Sequence, residues 1–262
     1  MLALIAGEGA LPGHLYAQAG MPLVCEIEGF PSGLPDALVF RLETLGSLLE
    51  GLNARGVTKV CFAGAIRRPP IDPARIDAAT LPLVPRIMEA LQTGDDGALR
   101  TAVAIFEEAG FQVQGAHEIA PELVPDPGVL TTAEPGDRDR ADAARAQTIQ
   151  QALSAADIGQ ACVVAAGQAL AVETLGGTDW MLDTLSTERR PAGPSGGVLF
   201  KAPKDGQDMR VDMPVIGPAT VTGAASAGLS GIAIPAGGVM ILDRDRTIAS
   251  CEAAGLFLWV QG

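Results

Sequence analysis

The sequence predicts an α/β protein with two domains. Short apolar runs alternate with helical patterns through the first half, as expected for a parallel sheet with helices on both faces. A stretch rich in proline and glycine around residues 121–135 then marks a linker. After it the apolar runs are shorter and glycine is more frequent. We therefore expect a Rossmann-like domain at 1–128 and a second, smaller α/β domain at 129–262, with the active site between them.

The elements of the first half follow from apolar runs and periodicity. Leucines between residues 42 and 52 recur at helical spacing, and Gly56 is a typical helix stop. Other helices are expected at 12–19, 81–91 and 95–109. The expected strands lie at 2–6, 23–27, 57–63 and 111–113.

The second half contains a charged helix and several buried strands. Alanine and glutamine favour the helix at 138–154, and a hairpin around Gly167 joins the runs 161–164 and 168–172. Residues 213–242 carry no charge and are numerous enough to span a bilayer. Their glycines and prolines predict a buried strand–turn–helix–strand unit instead. Further strands are expected at 198–201, 231–234, 239–242 and 256–260, and a helix at 243–254.

Composition excludes several classes of function. The 262 residues include 18 basic and 31 acidic side chains, a net charge of −13, so the basic surface of a nucleic-acid-binding protein is not expected. Cys25, Cys61 and Cys162 lie in apolar runs, which predicts buried, reduced thiols and a reducing compartment. Two histidines, His14 and His117, exclude a metal site of three imidazoles. A metal would therefore have mostly oxygen ligands, which favours Mg²⁺ or Mn²⁺.

A glycine-rich turn follows the first predicted strand, in the string IAGEGALPG. Gly7, Gly9 and Gly13 stand between a strand and a helix, where such a turn would let backbone N–H groups approach a phosphate at the helix N-terminus. Glu26 lies near the position of a ribose-binding acid, but Pro12 stands where the dinucleotide fingerprint has glycine. A turn that serves only chain reversal is the structural alternative.

A second loop, AGAIRRPP, follows the third predicted strand of the first half. It places Gly64, Arg67 and Arg68 at the carboxyl end of that strand, where open parallel sheets bind ligands. The arginine fork suits a phosphate or a uracil carbonyl. Solvated surface arginines are the alternative.

Two strings of the second half carry candidate catalytic residues. In LGGTDWML, Thr178 and Asp179 form either a contact to a hard metal or phosphate, or a helix N-cap. The string KAPKDGQDMRVDMPVIGPAT gathers cations and carboxylates that could neutralise a diphosphate and hold Mg²⁺, or could form a polar loop with surface ion pairs. Its candidates are Lys201, Lys204, Gln207, Asp208, Arg210, Asp212 and Thr220.

These strings, together with TGDDGAL near residue 95, DIGQACVV around Gln160 and AGLF near the end, occur in an order that resembles a known family. The chain is similar over its whole length to the UDP-2,3-diacylglucosamine pyrophosphatases of the LpxI type. The resemblance implies Mg²⁺-dependent hydrolysis of UDP-2,3-diacylglucosamine to 2,3-diacylglucosamine 1-phosphate and UMP, a step in lipid A synthesis. One departure is Gly176, because the family usually has glutamate at that position.

The resemblance also implies roles for individual residues. The essential aspartate of the family falls on Asp212, which is expected to act with Lys201 in catalysis and with Asp179 in metal binding. The other expected substrate contacts are Gly7, Gly9, Ala10, Gly64, Arg67, Arg68, Gln160, Thr178, Lys204, Gln207, Arg210 and Thr220. The expected partner is a lipid-linked sugar nucleotide, met by a cytoplasmic protein in transient contact with the inner membrane surface, with a homodimer left open.

Two other classes of function remain as alternatives. A nicotinamide-dependent oxidoreductase is disfavoured by Pro12, and Tyr16 is the one tyrosine of the chain. A carrier of lipid or nucleotide would bind UDP-2,3-diacylglucosamine without releasing UMP.

Overall fold

The computed structural model describes residues 1–66, 70–92, 94–186 and 193–262, the side chains of residues 95 and 96 aside. The chain divides into two compact units, Met1–Pro121 with Asp208–Asp212, and Glu122–Gln207 with Met213–Gly262. Both are α/β, so the expected two-domain α/β architecture is confirmed. The division falls after Pro121 rather than after residue 128. The second unit is slightly the larger by residue count, so the expectation of a smaller second domain is not met.

Within the described residues, the first unit is built on a five-stranded sheet in which the paired strands are parallel. The strands lie in the order β3-β2-β1-β4-β5, as in the first five strands of a doubly wound dinucleotide-binding sheet. Residues 3–6 of the central strand β1 are buried, as a continuous apolar run predicts. The strands are β1 Leu2–Ala6, β2 Leu23–Ile27, β3 Leu38–Phe40, β4 Lys59–Ala63 and β5 Gln112–Val113.

Helices lie near the predicted ranges 12–19, 42–52, 81–91 and 95–109, with one change, and a short helix at Ala116–Ile119 was not predicted. The expected helix at 81–91 divides into a 3-10 turn, Leu81–Leu83, and a helix that begins at Val84. Pro85 has no N–H to donate to an earlier carbonyl, so it fits the first turn of a helix and not its interior. The helices are α1 Leu11–Gln18, α2 Leu45–Ala54, α3 Val84–Ala90, α4 Asp95–Glu108 and α5 Ala116–Ile119.

Two glycines of α2 provide a matched test of packing in the first unit. A Cβ on Gly46 would lie 2.2 Å from the carbonyl carbon of Ala79, a backbone atom that cannot turn away. A Cβ on Gly51 would meet a guanidinium nitrogen of Arg55 at 3.1 Å, the end of a flexible side chain. We expect Gly46→Ala to lower the free energy of unfolding by about 2 kcal/mol or more through overpacking.

Gly51→Ala is the control for this prediction. Alanine has the higher helix propensity, so this variant is expected to be neutral or to gain up to about 1 kcal/mol of stability. Urea unfolding of the two variants and the wild type measures both effects. Equal midpoints for the two variants would contradict the close approach of Gly46 to Ala79.

In the part of the chain that the structure describes, the second unit contains a six-stranded mixed sheet in the order β6-β13-β11-β9-β7-β8. Strands β9, β11 and β13 are parallel, whereas β6, β7 and β8 pair antiparallel at the two sides. A separate parallel pair joins β10 and β12. The strands are β6 Gly128–Val129, β7 Ala161–Ala165, β8 Gln168–Val172, β9 Val198–Lys201, β10 Val215–Ile216, β11 Gly231–Pro235, β12 Met240–Ile241 and β13 Phe257–Gln261.

The helices of the second unit are α6 Asp137–Ser154, α7 Gly177–Thr184, α8 Pro218–Ser226 and α9 Arg244–Ala254. The uncharged segment 213–242 folds into β10, α8, β11 and β12, which confirms the expected strand–helix–strand unit. Among the described residues, no helix has both the length and the apolar character needed to cross a membrane. The predicted hairpin is also present, and Asp142 of α6 accepts the amides of Ala166 and Gly167 at its turn.

The four cysteines lie within the described ranges, and all are buried and unbridged. The predicted burial of Cys25, Cys61 and Cys162 as free thiols is therefore confirmed. Burial raises the pKa of Cys25 to about 11 and the pKa of Cys61 and Cys162 to about 12. These thiols are thus protonated at neutral pH and act as small apolar side chains of the core.

Candidate functional site

The loops that follow β1 and β4 meet at the carboxyl edge of the first sheet. The chain leaves β1 toward β2 on one side and leaves β4 toward β5 on the other, which makes this edge the switch point where open α/β sheets bind ligands. Gly7 donates its amide to the carbonyl of Ala63 at 2.8 Å. Glu8 and Ala65 exchange backbone hydrogen bonds of 3.0 and 2.8 Å. Backbone pairing therefore joins the two loops predicted to bind phosphate.

Close approach explains two glycines of these loops. A Cβ on Gly7 would lie 2.5 Å from the carbonyl oxygen of Ala65, and one on Gly64 would lie 2.7 Å from the carbonyl oxygen of Glu8. Gly64 also has φ +89°, in the left-handed region that favours glycine. These contacts favour the structural reading for both glycines, because their lack of a side chain is what lets the loops pair.

Gly9 and Ala10 are exposed and stand directly before α1, which begins at Leu11. An anion bound there would face the unpaired backbone N–H groups of the first helical turn. The phosphate contact at these two residues stays a prediction. Arg67 and Arg68, which were predicted to bind the same ligand, lie outside the described residues.

Glu26 lies on β2, near the same edge of the sheet. Its side chain is buried, with 9% of the residue exposed, and Oε1 accepts the amide of Ser32 at 2.8 Å as well as the Ser32 hydroxyl. The carboxylate therefore holds the loop after β2 in place, whatever else it binds.

Three buried polar side chains meet at one end of the sheet in the second unit. Lys201, the last residue of β9, donates from Nζ to Oγ1 of Thr178 at 2.8 Å. The Thr178 hydroxyl donates in turn to Oε2 of Glu173, just after β8. Each of the three residues is 9% exposed. Buried groups of this kind are stable only when they are hydrogen-bonded or paired.

The geometry of α7 rules out the helix-cap alternative for Thr178. The N-cap residue is Gly176, and Thr178 lies inside the first turn of a helix that begins at Gly177. Its hydroxyl is directed to Glu173 and Lys201, not to the backbone of its own helix. Asp179 follows as an exposed residue of the first turn, where a negative charge is favoured by the helix dipole.

Other predicted residues surround this cluster in the sequence and form local contacts. The backbone N–H of Gln160 donates to Oε1 of Glu173 at 3.4 Å, and its backbone carbonyl accepts the N–H of Ala202 at 2.9 Å. Lys204 donates its amide to Oε1 of the buried Gln207 at 2.8 Å, and its ammonium pairs with Asp157.

Thr220 has a structural role in the second unit. Its Oγ1 accepts the amide of Gly217 at 3.3 Å, at the start of α8. This bond satisfies a backbone donor that the helix itself leaves unpaired. Thr220 is 7% exposed, and its predicted contact with substrate stays a prediction.

Arg210 organises the segment Asp208–Asp212 of the first unit. Its Nε and Nη2 contact the two carboxylate oxygens of Asp208 at 2.9 and 2.7 Å, and Nη1 donates to Glu107 at 2.7 Å. The bond from Arg210 holds the pKa of Asp208 below its usual value, and Asp208 and Glu107 together raise the pKa of Arg210. These bonds use three of the five N–H donors of the guanidinium, so a phosphate bound there would share it with the two carboxylates.

The backbone of the same segment is packed as well as paired. Val211 contacts the apolar core of the first unit, and a Cβ on Gly115 would lie 3.2 Å from Cα of Arg210. Asp212 donates its amide to the carbonyl of Asp208 at 3.1 Å, and its side chain is partly exposed. Asp212 therefore ends a tight turn, and the two residues before it, Arg210 and Val211, anchor that turn in the first unit.

Gly176 leaves room for an aromatic ring. A Cβ at this position would lie 2.6 Å from two ring carbons of Trp180, so glutamate cannot replace glycine here while the indole keeps its place. Trp180 is 55% exposed and the adjacent Leu175 is fully exposed. Residue 176, where the family usually has glutamate, is thus a glycine on whose backbone the indole of Trp180 packs.

The carboxylates among the predicted site residues are compatible with Mg²⁺ that binds together with a phosphate ligand. Among the described residues, no group of three or more histidine, cysteine, aspartate or glutamate side chains could hold a metal ion by itself. Mg²⁺ commonly binds one or two carboxylates and completes its coordination with water and substrate phosphates. Asp212 of the first unit is partly exposed and Asp179 of the second unit is exposed, so each by itself is a carboxylate of that kind.

Glu173 is the residue that sequence reasoning missed. It directly follows a strand in AVETLGGTDW, five residues before Thr178, and no spacing rule links it to that hydroxyl. A carboxylate at the end of an apolar strand was the available signal, because such a group is buried only with partners.

Comparison with known proteins accounts for both units. The model of the LpxI N-terminal domain matches residues 1–123, and that of the LpxI C-terminal domain matches residues 126–259. The chain is also 39% identical over 269 residues to a Caulobacter vibrioides protein described as UDP-2,3-diacylglucosamine pyrophosphatase LpxI. That alignment covers 98% of this chain and 96% of the relative.

Proposed function

Because the chain belongs to the LpxI family, we propose that it hydrolyses the pyrophosphate bond of UDP-2,3-diacylglucosamine. The products would be 2,3-diacylglucosamine 1-phosphate and UMP, in lipid A synthesis. The observation that carries this proposal is the match of both structural units to the family. The buried Lys201–Thr178 pair supports it, since it places a cation at the carboxyl end of β9, where parallel strands present ligand-binding groups.

In the proposed reaction, water attacks one phosphorus atom in line with the P–O bond that breaks. Such chemistry depends on positioning and charge neutralisation more than on a side-chain nucleophile. Lys201 neutralises charge that develops on the phosphate oxygens, and Asp212 orients the water or binds the metal. An aspartate has an ordinary pKa of about 3.9, which suits these roles better than that of a strong base.

We propose Mg²⁺ as the cofactor, with Mn²⁺ as its alternative, held through Asp212 and Asp179. The ion would supply Lewis-acid neutralisation of the diphosphate. The remaining substrate contacts are those expected from the family resemblance, with two adjustments. Lys204 and Arg210 already pair with carboxylates, and Gly7 and Gly64 serve the pairing of their loops.

The acyl chains of this substrate would bring the protein to the surface of the inner membrane from the cytoplasm. We propose a transient contact there, and no interaction with nucleic acid, in keeping with the net charge of −13. A homodimer is compatible with the proposal and is not required by it.

The proposal is tested by incubating the pure protein with UDP-2,3-diacylglucosamine in H₂¹⁸O, with Mg²⁺ or with EDTA. We expect UMP release with Mg²⁺, its loss with EDTA and its return when Mg²⁺ is restored. The product that carries ¹⁸O identifies the phosphorus that is attacked. Binding of the substrate without UMP release would instead favour the carrier alternative, and undiminished turnover in EDTA would contradict the metal requirement.

A further inference from the structure

We infer that Glu173 is a positioning residue that orients Lys201 through the hydroxyl of Thr178. This inference rests on the proposed function, because it concerns the cation assigned to the diphosphate. The chain of contacts is Glu173 Oε2, Thr178 Oγ1 and Lys201 Nζ, in that order. None of the motifs singled out in the sequence includes Glu173.

The direction of each hydrogen bond follows from the donors available. An ammonium can only donate and an ionised carboxylate can only accept, whereas a hydroxyl has one proton to give and lone pairs to receive. Thr178 therefore gives its proton to Glu173 and presents a lone pair to Lys201. Without the carboxylate, the hydroxyl could rotate until its proton pointed at the ammonium. The two positive charges would then repel each other.

Burial strengthens the effect of these hydrogen bonds on the orientation of Lys201. All three residues are 9% exposed, so water competes weakly for their hydrogen bonds. A lysine side chain has four rotatable bonds and a strongly hydrated head group, and it keeps one orientation only when its partners fix it. The Thr178 lone pair provides such a partner at 2.8 Å.

The backbone holds Glu173 in turn. Its amide donates to the carbonyl of Ala161 at 2.8 Å, which extends the pairing of β7 with β8 by one residue. Gly159 has φ +52°, and a Cβ there would lie 2.3 Å from the carbonyl oxygen of Glu173. The carboxylate is thus attached to a rigid sheet edge, as expected of a residue that positions another.

The test uses a double-mutant cycle measured by UMP release. Thr178→Val keeps the shape of the side chain and removes the hydroxyl, whereas Thr178→Ser keeps the hydroxyl. We expect Glu173→Gln and Thr178→Val each to lower kcat about tenfold or more, Thr178→Ser to recover most of the kcat that Thr178→Val loses, and the double variant to be no slower than the slower single variant. Losses that multiply, or a Glu173→Gln variant with wild-type kcat, would overturn the inference.

A second measurement does not depend on turnover. The lysines of the chain are Lys59, Lys201 and Lys204, and Lys59 is exposed on β4 of the other unit. Trace acetylation followed by peptide mass spectrometry gives the labelling of Lys201 relative to Lys59. We expect this ratio to rise several-fold in Glu173→Gln and in Thr178→Val, and to keep its wild-type value in Thr178→Ser.

The two readouts separate two kinds of failure. If the wild type releases no UMP, the proposed function fails, and the labelling ratio still decides whether Glu173 fixes Lys201. If the wild type turns over and the ratio is the same in all variants, the positioning role fails while the proposed function stands. Melting temperatures near the wild-type value show that the variants are folded.

Discussion

Asp212→Asn is expected to reduce UMP release by about 10²-fold or more at saturating Mg²⁺, because the amide is neutral and is a poor ligand for a hard cation. The variant keeps the size of the side chain. The turn that carries it is held by the backbone bond to Asp208 and by the two residues before it, so the fold should survive. Initial rates at several Mg²⁺ concentrations measure the effect and separate metal affinity from kcat.

The matched control is Asp205→Asn. Asp205 is an exposed carboxylate in the same charged string, and it is joined to its surroundings by its backbone amide, which donates to the hydroxyl of Ser154 at 2.6 Å. This variant loses the same charge and should keep its rate within about twofold of the wild type. If both variants turned over at the wild-type rate, Asp212 would have no part in the chemistry.

Arg210→Lys is expected to lower kcat about tenfold or more although the charge is kept. The guanidinium contacts Asp208 through two nitrogens and Glu107 through a third, and an ammonium cannot reproduce that fork. The segment that ends in Asp212 would lose its link to α4, and a displacement of about 1 Å near a reacting centre can cost as much as 10²-fold in rate. Turnover is the first measurement, and hydrogen exchange of the amides at 208–212 is the second.

Arg86→Lys is the control for this variant. Arg86 of α3 pairs with Glu108 of α4 through one nitrogen, at 2.5 Å, in the same unit. Isolated surface pairs contribute about 0–1 kcal/mol, so this replacement should change neither turnover nor exchange at 208–212. Faster exchange in Arg210→Lys with an unaltered kcat would show that anchoring of the segment is irrelevant to the reaction.

Buried parallel strands were the most predictable part of the fold. A strand buried on both faces reads as a continuous apolar run, so β1, β2 and β4 were found within two residues of their ends. The short strands β3 and β6 were missed, whereas β12, which is equally short, lies within the apolar run 239–242 and was found. Their pairing is decided by neighbours distant in the sequence.

The residues of the site were likewise predictable only in part. Lys201 and Thr178 were named from their strings, and the structure joins them by a hydrogen bond. Glu173 was missed because its partner lies across a glycine turn that only the folded chain defines. Arg210 shows the opposite case: its charge suggested a phosphate contact, but Glu107, 103 residues earlier, binds its guanidinium.

The assignment of residues 208–212 to the first unit has a practical consequence for anyone who would produce the halves separately. A gene cut at the linker yields an N-terminal product that lacks the peptide carrying Arg210, and a C-terminal product in which that peptide has lost Glu107 and its apolar contacts. The N-terminal fragment therefore lacks part of its own unit, and the C-terminal fragment carries that part without its partners. Mixing the two purified halves is therefore a reconstitution problem, and a loss of turnover on cutting the gene would say nothing about which half performs the chemistry.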